Sequence, residues 1–393
     1  MTGQELRDQM AALVAKYDSE LLEPGPPVVV VPDGADLQDV INVATPGSIL
    51  VLGGRVYTRP IHTHKTLTLR DGAIQAPPNV NDLVNITAPD VRMEAVVVKG
   101  DGTTKRGIAG NGGGLVLRHV DVLNICRVGT ETQGLNIYNT AGGVDAEDCT
   151  FEGAISVLIG GASPTVPNTI PTGLFFKRCR FTRPLDWKGK NYAVKTAFEM
   201  KIGKHARLDS CTFENVWKDA QTGFGITLTP SQYGNSPETV VADVVISNST
   251  VRECGGGVNL LGYTQHTEAD RQTQQTNNVA FNNMTWDISK AKHGGQGALL
   301  QVGREPTGVV FDGSTVALDG DAWLRVTDSR PVHHFWLVNS PSVVGGAYYG
   351  IFSPLGTRGA NKDLILPNHS IKGNTFHSAH NTFKANFPEN TYV

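Results

Sequence analysis

Long apolar runs are missing from this 393-residue chain. No stretch nears the roughly 20 apolar residues that span a bilayer, so no membrane partner is expected. The first 25 residues, MTGQELRDQMAALVAKYDSELLEPG, lack the basic segment, apolar centre and cleavage site of a signal peptide. That favours a cytoplasmic or virion location. Charge of one sign is also scarce: 34 Lys and Arg face 37 Asp and Glu, with no basic stripe carrying interleaved aromatics. Nucleic acid is therefore not an expected partner. Cysteine is sparse and scattered. Cys126, Cys149, Cys179, Cys211 and Cys254 are odd in number and form no CxxC pair, which speaks against a zinc site or a disulfide scaffold. They suit buried thiols made in a reducing compartment.

What the chain does have is turns. Its 44 Gly and 21 Pro fit many short strands better than long helices, an all-β pattern. One signature recurs: Asp148-Cys149-Thr150-Phe151, Arg178-Cys179-Arg180-Phe181, Ser210-Cys211-Thr212-Phe213, Asn248-Ser249-Thr250-Val251, Asn283-Met284-Thr285-Trp286, Gly313-Ser314-Thr315-Val316 and Gly373-Asn374-Thr375-Phe376, with a weaker Asn339-Ser340-Pro341. Each copy is a polar or Gly turn residue, a small or medium pair and then a large apolar residue. The first six are 30 to 38 residues apart, the length of one solenoid coil of three short strands, and such coils bury a core only by stacking. A second column of apolar strands lies between the copies: ISVLIGG (155–161), FEMKI (198–202), FGITLTP (224–230), GVNLLGY (257–263), ALLQVG (298–303), WLRVT (323–327) and YYGIFSP (348–354). Alternation in FEMKI sends Phe198 and Met200 inward and Glu199 and Lys201 to solvent.

The pattern predicts a single right-handed parallel β-helix over residues 27–376 and a C-terminal tail over 377–393. Residues 36–44 read as a short amphipathic helix, DLQDVINVA, suited to cover the open first coil. That helix, then Pro46-Gly47, an apolar strand and Gly54-Arg55-Val56-Tyr57, resembles the opening of pectin-lyase-like β-helix proteins, and the resemblance extends over about residues 30–385. Residues 1–26 form a separate unit. Leu6, Met10, Leu13 and Tyr17 make a narrow apolar stripe on a helix ended by Pro24-Gly25-Pro26-Pro27. It has three available uses: a contact between copies, docking on a larger assembly, or folding back on the wall.

The most unusual block runs from 162 to 230. Its Val-Lys, Phe-Glu-x-Lys and Phe-Glu-Asn-x-Trp-x-Asp-Ala-Gln-x-Gly elements resemble a family of uncharacterised bacterial right-handed β-helix repeat proteins. Glu199 and Lys201 share one strand face, Asp219 and Gln221 precede the next strand, and coils stack about 4.8 Å apart. These four converge on one outer surface if the coils align. Lys195, Asp186, Trp187 and Lys188 form a loop that would overhang it, and Asn259 lies in GVNLLGY of the same column. Acceptors, donors, an aromatic platform and an acid/base pair make a glycan site. Glu199, Lys201 and Asp219 are the candidate catalytic residues, and Trp187, Lys188, Lys195, Gln221 and Asn259 the candidate substrate contacts. The competing account is structural: the charges neutralise one another, and Asp219 and Gln221 bond the turn backbone. A pectate-lyase-like site implies a calcium-binding acidic cluster beside a basic residue. The acidic set here is thin, so no metal ligands and no cofactor are assigned, with Ca2+ left open.

Other candidates are weaker. His62 and His64 share a strand face without a third ligand, His333 and His334 point to opposite faces with one packed, and Cys149, Cys179 and Cys211 should stack as an internal ladder. The leading functional expectation is a glycan-recognising β-helix in a phage tail or virion, binding and in some cases cleaving surface polysaccharide. The layout is similar to phage tailspikes, which implies attachment through residues 1–22 and a homo-oligomer, commonly a trimer. The short stretch after Phe376 departs from that layout, because many tailspikes carry a trimerising domain there. Two alternatives stay open: a stand-alone polysaccharide lyase or glycoside hydrolase, and a purely structural virion or decoration protein.

Overall fold

The computed structural model describes residues 25–138, 140–160, 169–231, 239–263, 275–320, 322–346 and 349–393. The apolar stripe of residues 1–22 lies outside them. Among the described residues no helix is long and apolar enough to cross a membrane.

Left-handed backbone explains the repeat signature. Asp148, Arg178, Ser210, Asn248, Asn283, Gly313, Asn339 and Gly373, the first residues of the copies, all have φ between 50° and 67°. Asn, Asp and Gly enter that region at least cost, which is why turn formers recur there. The bend sends the next residue inside: Cys149, Cys179, Cys211, Ser249, Met284, Ser314, Ser340 and Asn374 are at most 2% exposed. The large apolar residue then joins a continuous interior column. Phe151, Phe181, Phe213, Val251, Trp286, Val316, Val343 and Phe376 stand in register from coil to coil. The weaker copy carries one extra residue, so Val343 takes the large position. Stacked rings reinforce the column, with Phe181 and Phe213 centroids 4.8 Å apart.

Each coil contributes two strands that meet at this bend and a third across the core. Accordingly, one sheet holds 24 described strands and the other 12. The second column forms the smaller sheet, through Ile155–Ile159, Thr196–Met200, Phe224–Leu228, Gly256–Leu261, Ala298–Gly303, Ala322–Val326 and Gly350–Ser353. Neighbouring coils pair in parallel throughout this stack. The architecture is the right-handed parallel β-helix expected from the repeat.

Both ends are closed. The helix Leu37–Val43, N-capped by Asp36 accepting from Gln38 N at 2.8 Å, buries Leu37 and Ile41 over the first coil. At the other end residues 377–393 are integral to the body. The helix Asn381–Asn386 sets Phe383 against Trp323 and Phe376, at centroid distances of 4.6 and 5.3 Å. The strand Thr391–Tyr392 then pairs beside Thr375–His377.

Candidate functional site

Glu199 sits on the wall of the smaller sheet in a row that register defines. Toward the N-terminus the row runs through Leu158, Asn136, Ala109 and Asn85; toward the C-terminus, through Thr227, Asn259 and Gln301. Its chain neighbours Phe198 and Met200 are fully buried in the core, so alternation turns Glu199 to the outer side as expected. It does not reach solvent, however. The residue is 1% exposed, which corrects the expectation of a solvated Glu199, whereas Lys201 stays partly exposed.

What encloses the carboxylate is charge. Lys195 Nζ lies 3.0 Å from Glu199 Oε1, and Lys201 Nζ lies 3.7 Å from the same oxygen. Lys195 is itself buried and also faces Glu131 Oε2 at 3.7 Å. Two lysines and two glutamates thus balance within one cluster. Glu199 Oε2 is closed off from solvent and has no hydrogen-bond partner among the described residues. Burying a carboxylate is costly unless it is paired and fully bonded, and this one is paired but only half bonded.

Lys195 is placed from two sides. Its own N–H donates to Ala154 O at 3.0 Å in the preceding coil. Just before it, Val194 N donates to Asp219 Oδ2 at 3.0 Å and Val194 O accepts from Ala220 N at 3.1 Å. Beneath the start of the strand lies Arg183, 1% exposed. Its guanidinium donates to Gly153 O, Asn215 O, Ser156 Oγ and Thr196 O at 2.9 to 3.0 Å.

The expected site residues separate on this geometry. Glu199, Lys201 and Lys195 come together, and Asn259 belongs to the same row two coils on, accepting from Gln301 Nε2 at 3.1 Å. Asp219 does not join them: its carboxylate is spent on the Val194 backbone, as the structural account anticipated. Gln221 is exposed, and its carbonyl accepts from Asp219 N at 3.1 Å. Lys188 reaches away, donating to Lys292 O at 2.7 Å. Trp187 is no stacking platform. The short 3-10 turn Leu185–Trp187 tucks the indole inward to 4% exposure, edge-on to Tyr192 at 5.3 Å, while Asp186 pairs with Lys190. Sequence reasoning missed Glu131 and Asn136; aligning LNI (135–137) with VLI (157–159) and FEM (198–200) would have set Asn136 in the row.

The remaining candidates stay apart. His62 bonds Thr87 Oγ1 at 2.7 Å with His64 beside it. Among the described residues no group of three or more His, Cys, Asp or Glu is placed to hold a metal ion. Neither His333 nor His334 is packed away; His334 sits at a bend with φ 53° and stacks on Trp336. That pair lines a groove of about 480 Å³ on the larger sheet, with Arg207, Asp243 and Asn278 at its edge.

No protein-family model and no curated protein sequence matches the chain. Solved structures do. The Dettilon tailspike protein aligns at TM-score 0.53 and 13% identity, over 93% of this chain and 68% of that one. The catalytic unit of a GH87 alpha-1,3-glucanase from Streptomyces thermodiastaticus aligns at 0.52 and 13%, over 86% and 64%. A PL6 family alginate lyase aligns at 0.52 and 11%, over 93% and 53%. The chain thus spans about two thirds of the first two and about half of the third. At such identities the likeness concerns the fold alone: this chain shares the right-handed parallel β-helix fold of these structures.

Proposed function

We propose that the chain is a glycan-recognising β-helix whose contact surface is the outer wall of the smaller sheet around Glu199. One observation carries this reading. A solenoid wall needs no charge beneath its surface, yet here a carboxylate is buried between two lysines with one oxygen left without a partner. Unpaired buried acceptors are rare in native proteins, and the missing donor is the kind of group a sugar hydroxyl supplies. The names of the structural neighbours, a glucanase, an alginate lyase and a tailspike, support a glycan as ligand. Lys195 and Lys201 fix the carboxylate, and Asn136 and Asn259 extend the polar row on either side.

Glu131 favours a second reading, glycoside hydrolysis. It and Glu199 meet the same Lys195 ammonium, so their carboxylates are no farther apart than those two contacts laid end to end. Paired carboxylates about 5–9 Å apart are what cleavage of a glycosidic bond uses. A place in a phage tail or virion, with residues 1–22 as attachment segment, remains part of the proposal on the strength of the sequence layout.

Glycan-array binding of the full chain tests it, alongside Glu199→Gln and Lys195→Met. Loss of a specific glycan signal in both variants is expected, read at a temperature below each variant's own melting transition so that the folded protein is compared. Unchanged binding in both would move the site elsewhere, the groove beside Trp336 being the next surface to mutate. Release of reducing ends from the bound glycan separates hydrolysis from recognition alone. Light scattering of the full chain against a form beginning at Val28 tests assembly: if both are monomers, the attachment role is lost.

A further inference from the structure

We infer that the wall on the N-terminal side of Glu199 is a track for an uncharged, hydroxyl-rich glycan lying along the helix axis. The inference rests on the glycan-binding reading above and narrows it to a substrate class. It starts from unmet hydrogen bonds. Among the described residues, seven buried side-chain N or O atoms have no partner. Four of the seven belong to one stretch of this wall: Asn85 Oδ1, Asn111 Oδ1, Asn136 Oδ1 and Glu199 Oε2.

Register gives the four a layout. Asn85, Asn136 and Glu199 occupy a single row, separated by the apolar rungs Ala109 and Leu158. Acceptors therefore recur at every second coil, about 10 Å apart at the usual strand spacing. Asn111 follows Ala109 by two residues on the same face, in the adjacent row, where Asn111 N donates to Ile86 O and Tyr138 N to Gly110 O. A polymer whose hydroxyls repeat every second sugar meets such a row in phase. A ligand reaches these atoms by turning neighbouring side chains outward, since Asn85, Asn136 and Glu199 are carried on the outer face of strands and Asn111 directly follows the strand that ends at Gly110.

Charge selects the class. The orphaned atoms are acceptors, so what satisfies them is a donor, and an ionised uronate carboxylate only accepts. The cluster at Glu199 offers no surplus positive charge to an acidic sugar, because Glu131 and Glu199 already balance Lys195 and Lys201. Beyond Glu199 the row is self-satisfied: Thr227 Oγ1 donates to Thr196 Oγ1 at 3.3 Å, and Gln301 Nε2 to Asn259 Oδ1. The track thus runs from Asn85 to Glu199 and ends there.

The test is binding of the full-length protein, by calorimetry, to neutral polysaccharides (dextran, a β-glucan, a mannan) and to polyuronates (alginate, polygalacturonate) at low and high salt. The expected result is a neutral ligand whose affinity is indifferent to salt. Asn85→Ala and Asn136→Ala should each weaken it about tenfold, the size of one lost hydrogen bond, while Lys99→Ala, at an exposed position of the larger sheet, leaves it unchanged. Melting temperatures identify any variant that fails to fold, and Asn→Ser at the same position then replaces it. Preference for a polyuronate, or undiminished affinity in both Asn85→Ala and Asn136→Ala while Glu199→Gln is impaired, overturns the track and leaves the glycan reading intact. Binding to neither class of polymer overturns the glycan reading itself.

Discussion

Lys195 and Glu199 form an ion pair at 3.0 Å in which both side chains are more than nine-tenths buried. Such a pair gains little over well-packed apolar residues, but removing one partner strands the other charge. Glu199→Leu or Lys195→Met alone should therefore cost about 3–5 kcal/mol in chemical denaturation. The double variant Lys195→Met with Glu199→Leu should recover most of that loss. A stable double variant that still binds glycan would reduce the pair to a structural feature; a stable one that has lost binding places the function on it.

Arg183 is the inner support of the same strand. Its guanidinium meets four acceptors at 2.9 to 3.0 Å, and a lysine ammonium has neither the reach nor the planar fork to replace it. Arg183→Lys should lower stability by about 3 kcal/mol or more. It should also weaken glycan binding, because Thr196 O, one of the four acceptors, opens the strand carrying Glu199. Stability and affinity close to those of the parent protein would show that the strand is positioned without it.

Glu214 makes acid stability measurable. Burial alone would raise its carboxyl, but hydrogen bonds from Arg252, then Arg180 and Thr182, outweigh burial and hold it below the ordinary glutamate range. A carboxyl depressed in the folded state stabilises above its unfolded pKa, and that contribution fades as pH falls through the folded value. Glu214→Gln should thus be less stable by about 1–3 kcal/mol at neutral pH. The gap to the parent should narrow below about pH 4. A pH-independent gap in urea midpoints would assign the effect to packing.

The five thiols should be inert in the native protein. All are free and buried, and burial pushes Cys254 up to about 12 and Cys126 up to about 11. Thiolate is the reactive form, so a thiol reagent should modify none of them until denaturant is added. Rapid labelling of any one would mean that its coil opens locally.

Those cysteines also mark where sequence is informative. Cys149, Cys179 and Cys211 follow a residue at positive φ, and the preference for Asn, Asp or Gly at such a bend is local, so the repeat and the coil were legible without the structure. The state of Glu199 was not. Its outward direction follows from alternation with Phe198 and Met200, but its burial depends on Lys195 from a loop and, through Lys195, on Glu131 two coils earlier. Coils of unequal length conceal that partnership along the chain. Trp187 misled for a related reason: flanked by Asp186 and Lys188 it reads as exposed, while the short turn on which it stands directs the ring inward.

The closing segment can be tested by removal. An open β-helix end exposes strand edges and apolar side chains that invite association, and here Trp323 and Phe376, 4.3 Å apart by centroid, lie at that end. Phe383 packs edge-on against both, Phe387 packs on Phe383, and Tyr392 stacks on Phe376 at 5.9 Å. Ending the chain after Phe376 should therefore expose an aromatic cluster and produce concentration-dependent aggregates in light scattering. Phe383→Ala alone removes one ring from the centre of that cluster and should cost about 3–5 kcal/mol without changing the oligomeric state. Were the truncated chain to remain as soluble and stable as the parent, the coils above would be closing the core unaided, and residues 377–393 would be free for another role.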